Sequence, residues 1–119
     1  MAQDFERAVA SDSSGDVAIG NTVRTIITSN SDDAIVGIRL ANIHASAAIT
    51  ADVYITSSAS GSSADSYIIK NANIPFGSSL ELIDGGAKII LQSGDVLKAV
   101  CNTANSLNVW VSYVDAIST

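Results

Sequence analysis

One histidine, His44, and one cysteine, Cys101, bound the chemistry open to this 119-residue chain. A histidine-clustered metal centre of the cupin-barrel kind needs several imidazoles, and a Ser-His-Asp site needs its base held between a serine and an acid. His44 follows Asn42 and Ile43 at the end of an apolar run with no such partner beside it, so it reads as an ordinary hydrogen-bonded residue. The nucleophile-elbow pattern Gly-x-Ser-x-Gly is absent. Gly85-Gly86 lies between strand-like runs, with no helix following to meet a phosphate, which sets aside the P-loop and dinucleotide fingerprints. Asp32-Asp33, even with Asp12 or Asp16, lacks the alternating Asp/Asn spacing of an EF-hand and reads as turn capping. Cys101 cannot form an internal disulfide and reads as a small buried apolar residue in a strand. No catalytic residue, metal ligand or cofactor is therefore expected, and the chain is expected not to be an enzyme.

The aromatic side chains are more informative. Period-two patterning puts Tyr54 and Trp110 on the strand faces opposite the aliphatic residues, where Trp and Tyr serve protein interfaces or stack on sugar rings. With Phe5 and Tyr113 they form the candidate interface set: Phe5, Tyr54, Trp110 and Tyr113. Subunit contact ranks first for these residues, intramolecular burial second and sugar binding third, because the chain is poor in charge.

The elements that must position them are strands. From Thr22 to Thr28, Val23, Thr25 and Ile27 alternate with Thr22, Arg24 and Ile26. A second run, 34–44, sets Val36, Ile38 and Leu40 against Ile35, Gly37, Arg39 and Ala41, and Gly37 in mid-strand predicts a bulge or a close backbone approach. A third, 48–56, puts Ile49, Ala51, Val53 and Ile55 opposite Thr50, Asp52, Tyr54 and Thr56, the mark of a sheet with one wet side. The polar stretch 57–65, SSASGSSAD, predicts an exposed, mobile loop; Tyr67 to Lys70 restore a strand, and Asn71-Ala72-Asn73 lead out of it. Ile74 to Val100 reads as a three-strand meander entered through Pro75, with turns at Asp84-Gly85-Gly86 and Ser93-Gly94-Asp95. Leu107 to Val114 closes the chain, with Leu107, Val109, Val111 and Tyr113 facing away from Asn108, Trp110, Ser112 and Val114.

About eight strands at spacings of about 8 to 12 residues, with almost no helix signal, predict an all-β fold. The expected architecture is a two-sheet antiparallel sandwich, jelly-roll-like, over residues 21–119. Residues 1–20 read as an extended N-terminal arm or an edge strand; a short helix at DFERAVA is conceivable but is broken by the Ser-Asp-Ser-Ser-Gly run.

Composition narrows the partners. Hydrophobic residues are 47% of the chain and aromatics 5%, so the core must be aliphatic; charged residues are only 15%, leaving a Ser/Thr/Asn/Ala surface suited to lying against protein. A net charge of −6 with six basic residues that never cluster argues against nucleic acid and anionic membrane as partners. No apolar run approaches the roughly 20 residues of a spanning helix. The acidic start, without an apolar h-region, predicts no signal peptide and synthesis in a cytosol.

Four short motifs in the second half occur in a telling order: Pro75-Phe76-Gly77-Ser78, Asp84-Gly85-Gly86, Gly94-Asp95-Val96-Leu97 and Val109-Trp110-Val111-Ser112-Tyr113. In this order they resemble small virion structural proteins of tailed bacteriophages, notably those of cyanophages and other marine phages. Each motif alone is hairpin grammar; the first half resembles such proteins only in style. The resemblance implies a β-sandwich assembled in several copies on a phage particle in the host cytoplasm. The implied role is capsid decoration (cement), with a neck, tail or fibre-attachment component, or a carbohydrate-binding fibre module, as alternatives. It further implies a homo-oligomer, a trimer foremost, bound to the major capsid protein or to neck and tail proteins.

Overall fold

The computed structural model describes residues 4–9, 19–57, 64–83 and 88–118. Nine strands follow in order: β1 (Asp4–Val9), β2 (Arg24–Thr28), β3 (Asp32–Asn42), β4 (Ile49–Ser57), β5 (Ala64–Ile74), β6 (Ser79–Glu81), β7 (Ile89–Leu91), β8 (Val96–Cys101) and β9 (Leu107–Ser118). No helix occurs among the described residues. The expected all-β class is thus the observed one. Residues 4–9, where a short helix was conceivable, are an edge strand.

The strands form two antiparallel sheets. The first has the order β1-β9-β3-β6, with β7 also on β3; the second has the order β2-β8-β4-β5. The pairings nest: β4 with β5, β3 with β6 and β7, β2 with β8, β1 with β9. The strands pair as one long antiparallel hairpin, doubled between β4 and β5 and wrapped so that successive rungs fall in alternate sheets. That wrapping is the jelly-roll arrangement.

The inner faces meet in an aliphatic core. Ile38 and Leu40 of β3, Ile49 and Val53 of β4, Leu97 and Ala99 of β8, and Val109 and Val111 of β9 are each at most 1% exposed. Ile, Val and Leu supply the β-branched or compact bulk that fills the space between two pleated surfaces, each large one stabilising by roughly 1.5–3 kcal/mol on burial. Ile19 joins this core from outside the named strands, its N–H donating to the Leu107 carbonyl at 2.9 Å. At Gly20 a Cβ would lie 3.0 Å from the Asn105 backbone nitrogen and 3.1 Å from the Ala104 Cα, so a side chain there would require the 104–105 backbone to give by a few tenths of an ångström.

Three expectations change. The segment 74–100 is not a meander: β6 and β7 pair with β3 and not with each other, while β8 lies in the second sheet. The Ser93-Gly94-Asp95 turn is present, with Gly94 at φ 94 and the Asp95 N–H donating to the Gln92 carbonyl, but it joins the two sheets. The Asp84-Gly85-Gly86 turn lies outside the described residues, as does most of the 57–65 loop.

Bulges account for the other two. In β3 the register with β9 shifts between Ile35 and Gly37, confirming the expected irregularity. The extra residue resets the alternation, so Ile35 is fully buried with Ile38 and Leu40 although strict alternation sets it on the opposite face. In β5 the strand runs on through Asn71-Ala72-Asn73: Asn71 takes φ 55, the Asp52 carboxylate accepts its N–H at 2.6 Å, and Ala72 and Ile74 return to the interior.

Candidate functional site

The outer face of the first sheet gathers much of the exposed apolar surface. Directly opposed residues of antiparallel strands share a face, so the register builds a row across four strands: Ile90 on β7, Ala34 on β3, Val114 on β9 and Phe5 on β1. Phe5 is 86% exposed and Ile90 51%, the two flanking a centre filled by Ala34 and Val114. Four residues back along β9 stands Trp110, 48% exposed, opposite Arg39 of β3. Arg39 holds Glu81 of β6 through an Nε to Oε1 contact of 2.5 Å, and the Arg7 guanidinium carbon of β1 lies 5.4 Å from the Trp110 ring centroid. The face is therefore apolar at two ends, with its charges already paired or stacked.

The structure brings together two of the four candidate interface residues. Phe5 and Trp110 share this face. Tyr113 belongs to the same strand as Trp110 but points inward, half-buried against the core rim, its hydroxyl donating to Glu6 Oε2 at 3.0 Å. Tyr54 lies on the second sheet and is 7% exposed, which corrects the expectation of an exposed aromatic. Tyr67 of β5, directly opposite, covers it with ring centroids 4.9 Å apart, and Lys70 Nζ sits 4.4 Å from the Tyr67 ring. Strand alternation gave the face of Tyr54 correctly but could not show that a neighbouring ring closes over it. Ile90 was missed because its three-residue strand shows too little periodicity to assign a face.

Burial pushes the Tyr113 hydroxyl up to about 12, helped by its bond to Glu6 and by the negative charges of Glu6, Asp115 and Asp33. A tyrosine raised above its unfolded value near 10 keeps its proton better in the fold. Its stabilising contribution is complete below pH 10 and is lost as pH rises from 10 to about 12. Ultraviolet titration should find Tyr113 ionising near 12, with Tyr113→Phe removing that late step and flattening the fall in stability over this window.

The polar clusters are structural. Asp33, 2% exposed, is pushed up by burial, but the Ala116 N–H at 3.0 Å and the Ser29 and Ser31 hydroxyls, each at 2.8 Å, outweigh that and hold it below the usual carboxylate range. The Ala116 amide needs this partner because Ala116, at φ 56, lies in an irregular stretch of β9. Asp115, in turn, is pushed up by its hydrogen bond with Asp33. Asp33 thus holds an irregular stretch of the neighbouring strand β9, whereas the turn-capping reading places its role in its own turn. His44 Nδ1 accepts the Ser46 and Ala47 N–H groups at 3.0 Å each, which commits that nitrogen to the turn. Among the described residues no three His, Cys, Asp or Glu side chains stand together as a metal site. The cleft lined by Gly20, Asn21, Thr22, Arg24, Ala104 and Asn105 contains no nucleophile beside a general base.

Asn42 was not singled out by its sequence, yet it holds a corner of the sandwich. Its side-chain amide faces the Ala47, Ile74 and Pro75 carbonyls at 2.9, 3.0 and 3.2 Å, and its Oδ1 accepts the His44 N–H at 2.8 Å. Cys101 is buried, its thiol pushed up by that burial and 2.9 Å from the Thr103 carbonyl. The native chain should resist a thiol reagent at neutral pH and react at the rate of a free cysteine once unfolded in denaturant.

No family model matches this chain, and no curated protein is similar to it by sequence. A solved structure of Bacillus endospore appendages, described as a novel family of disulfide-linked pili, superposes with a TM-score of 0.49 at 14% identity, covering 95% of this chain and 84% of that one. A likeness at that level carries no functional argument.

Proposed function

We propose that this chain is a non-enzymatic structural protein that acts by assembly, as a virion component of a tailed phage, with capsid decoration as its foremost role. The observation that supports this most is the outer face of the first sheet, where Phe5, Ile90 and Trp110 lie exposed on one surface around Ala34 and Val114. Large apolar side chains grouped on one face of a small domain mark a protein interface. The virion setting rests on the ordered motifs from Pro75 to Tyr113. A decoration protein would seat this face where major capsid subunits meet, and symmetry would multiply a modest area per copy into resistance to internal pressure. A homo-oligomer, a trimer foremost, is the form expected in solution.

Neck, tail and fibre-attachment roles use the same surface. A glycan-binding fibre module is less well supported: the Arg7 guanidinium already lies over the Trp110 ring, where a pyranose would stack. Quantitative mass spectrometry of purified particles tests the proposal. A high copy number is the expected result, a low one moves the protein to neck or tail, and its absence from particles overturns the virion role.

A further inference from the structure

The four sheet edges are not alike. The second sheet ends in β2, whose register breaks between Thr25 and Ile27, and in β5, which carries two register shifts. The first sheet ends on one side in β6 and β7, three residues each. Bulges and short strands are the usual ways of closing an edge to further pairing. β1, on the remaining side, has neither: its six residues keep unbroken register with β9 from Asp4↔Asp115 to Val9↔Trp110.

β1 is also weakly held by its own sandwich. Among its described apolar side chains Ala8 alone packs on the core, and Phe5 is almost fully exposed. Asp4 stands directly opposite Asp115, and Glu6 adds its charge to the same end; like charges across a strand pair destabilise it. What remains is the backbone ladder, the Glu6–Tyr113 bond and the stacking of Arg7 on Trp110. Residues 10–18 separate β1 from Ile19, a reach of about 30 Å when fully extended.

We propose that β1 is an exchangeable strand, which leaves the β9 of its own chain and docks in the same register on the β9 of a second copy. The occupant is fixed by fit: the groove along β9 already accepts this six-residue sequence over its whole length, and an identical strand from a neighbour makes the same contacts. Exchange changes few local contacts, so the balance is set by concentration and by what assembly adds. This inference rests on the assembly reading and gives that assembly a mechanism.

The test mixes full-length chains carrying R7C with chains carrying S112C, positions directly opposed across β1 and β9 on the outer face. Under oxidised glutathione, strand exchange should yield an R7C–S112C covalent heterodimer, increasing with protein concentration. Mixing R7C chains with T25C chains, Thr25 being exposed on the second sheet, sets the level due to collision. A yield no higher than that level overturns the exchange. Solution mass, measured alongside, separates the two ideas: oligomers without the specific cross-link refute exchange and leave assembly standing. Monomers with only collisional cross-linking refute both exchange and the expected self-assembly.

Discussion

A chain carrying Asn42→Leu is expected to lose about 3 kcal/mol of folding stability, measured by urea denaturation as a lower midpoint at an unchanged slope. Asn42 is 7% exposed, and its amide hydrogens are shared among three carbonyls from two separate segments while its oxygen takes the His44 N–H. Leucine fills a similar volume but satisfies none of these groups, and a buried polar group left without a partner costs about 1–3 kcal/mol. Asn42→Asp separates the donors from the acceptor. It preserves shape and still accepts the His44 N–H, yet it sets a carboxylate against the carbonyls of Ala47, Ile74 and Pro75. Its loss should equal or exceed that of leucine at neutral pH and shrink in acid, as the carboxyl gains a proton it can donate. An Asn42→Asp chain as stable as wild type would show that the corner is held by packing alone.

The second large effect concerns association. Trp110→Ala is expected to weaken self-association on the order of 2 kcal/mol, about 30-fold in Kd, the scale of an aromatic anchor in an interface. Its effect on folding should be small, because Trp110 is half exposed and lies outside the core, with only the Arg7 stacking lost. Tyr54→Ala is the contrasting variant. Tyr54 is buried against Tyr67, so its removal should lower stability and leave association unchanged. Concentration-dependent sedimentation and thermal unfolding of the two variants read these opposite outcomes separately.

How far the sequence shows this arrangement depends on whether the signal is local. The alternation of Ile49, Ala51 and Val53 with Thr50 and Asp52 reports one inner and one outer face, and the burial of β4 follows it up to Val53. The Ser93-Gly94-Asp95 turn is equally plain, since Gly94 supplies the positive φ. Partner choice is not local. Pro75 to Val100 contains three strand-like runs divided by turn residues, and the same pattern serves a meander or strands delivered to two different sheets. The nesting of β3 around β6 and β7 decides it, through contacts between residues some forty apart, such as Arg39 and Glu81.

Single-residue irregularities are hidden for a related reason. Asn71 and Ala116 both take positive φ without being glycine, each held by a carboxylate from the neighbouring strand, Asp52 or Asp33. Nothing beside Asn71 or Ala116 in sequence announces those carboxylates. The candidate surface was half legible: Phe5 and Trp110 stood out by type and parity, whereas Ile90, on a short strand, and the covering of Tyr54 by Tyr67 depend on register.

Assembly through the outer face of the first sheet is the mode of action proposed for this sandwich. Sedimentation equilibrium on the wild-type chain beside one carrying Phe5→Asp and Ile90→Asp tests it most directly, both substitutions lying at exposed positions that leave the core intact. A discrete oligomer is expected for the wild type and a folded monomer for the variant. A wild type that stays monomeric at every concentration, or a variant that assembles as well as the wild type, would contradict it.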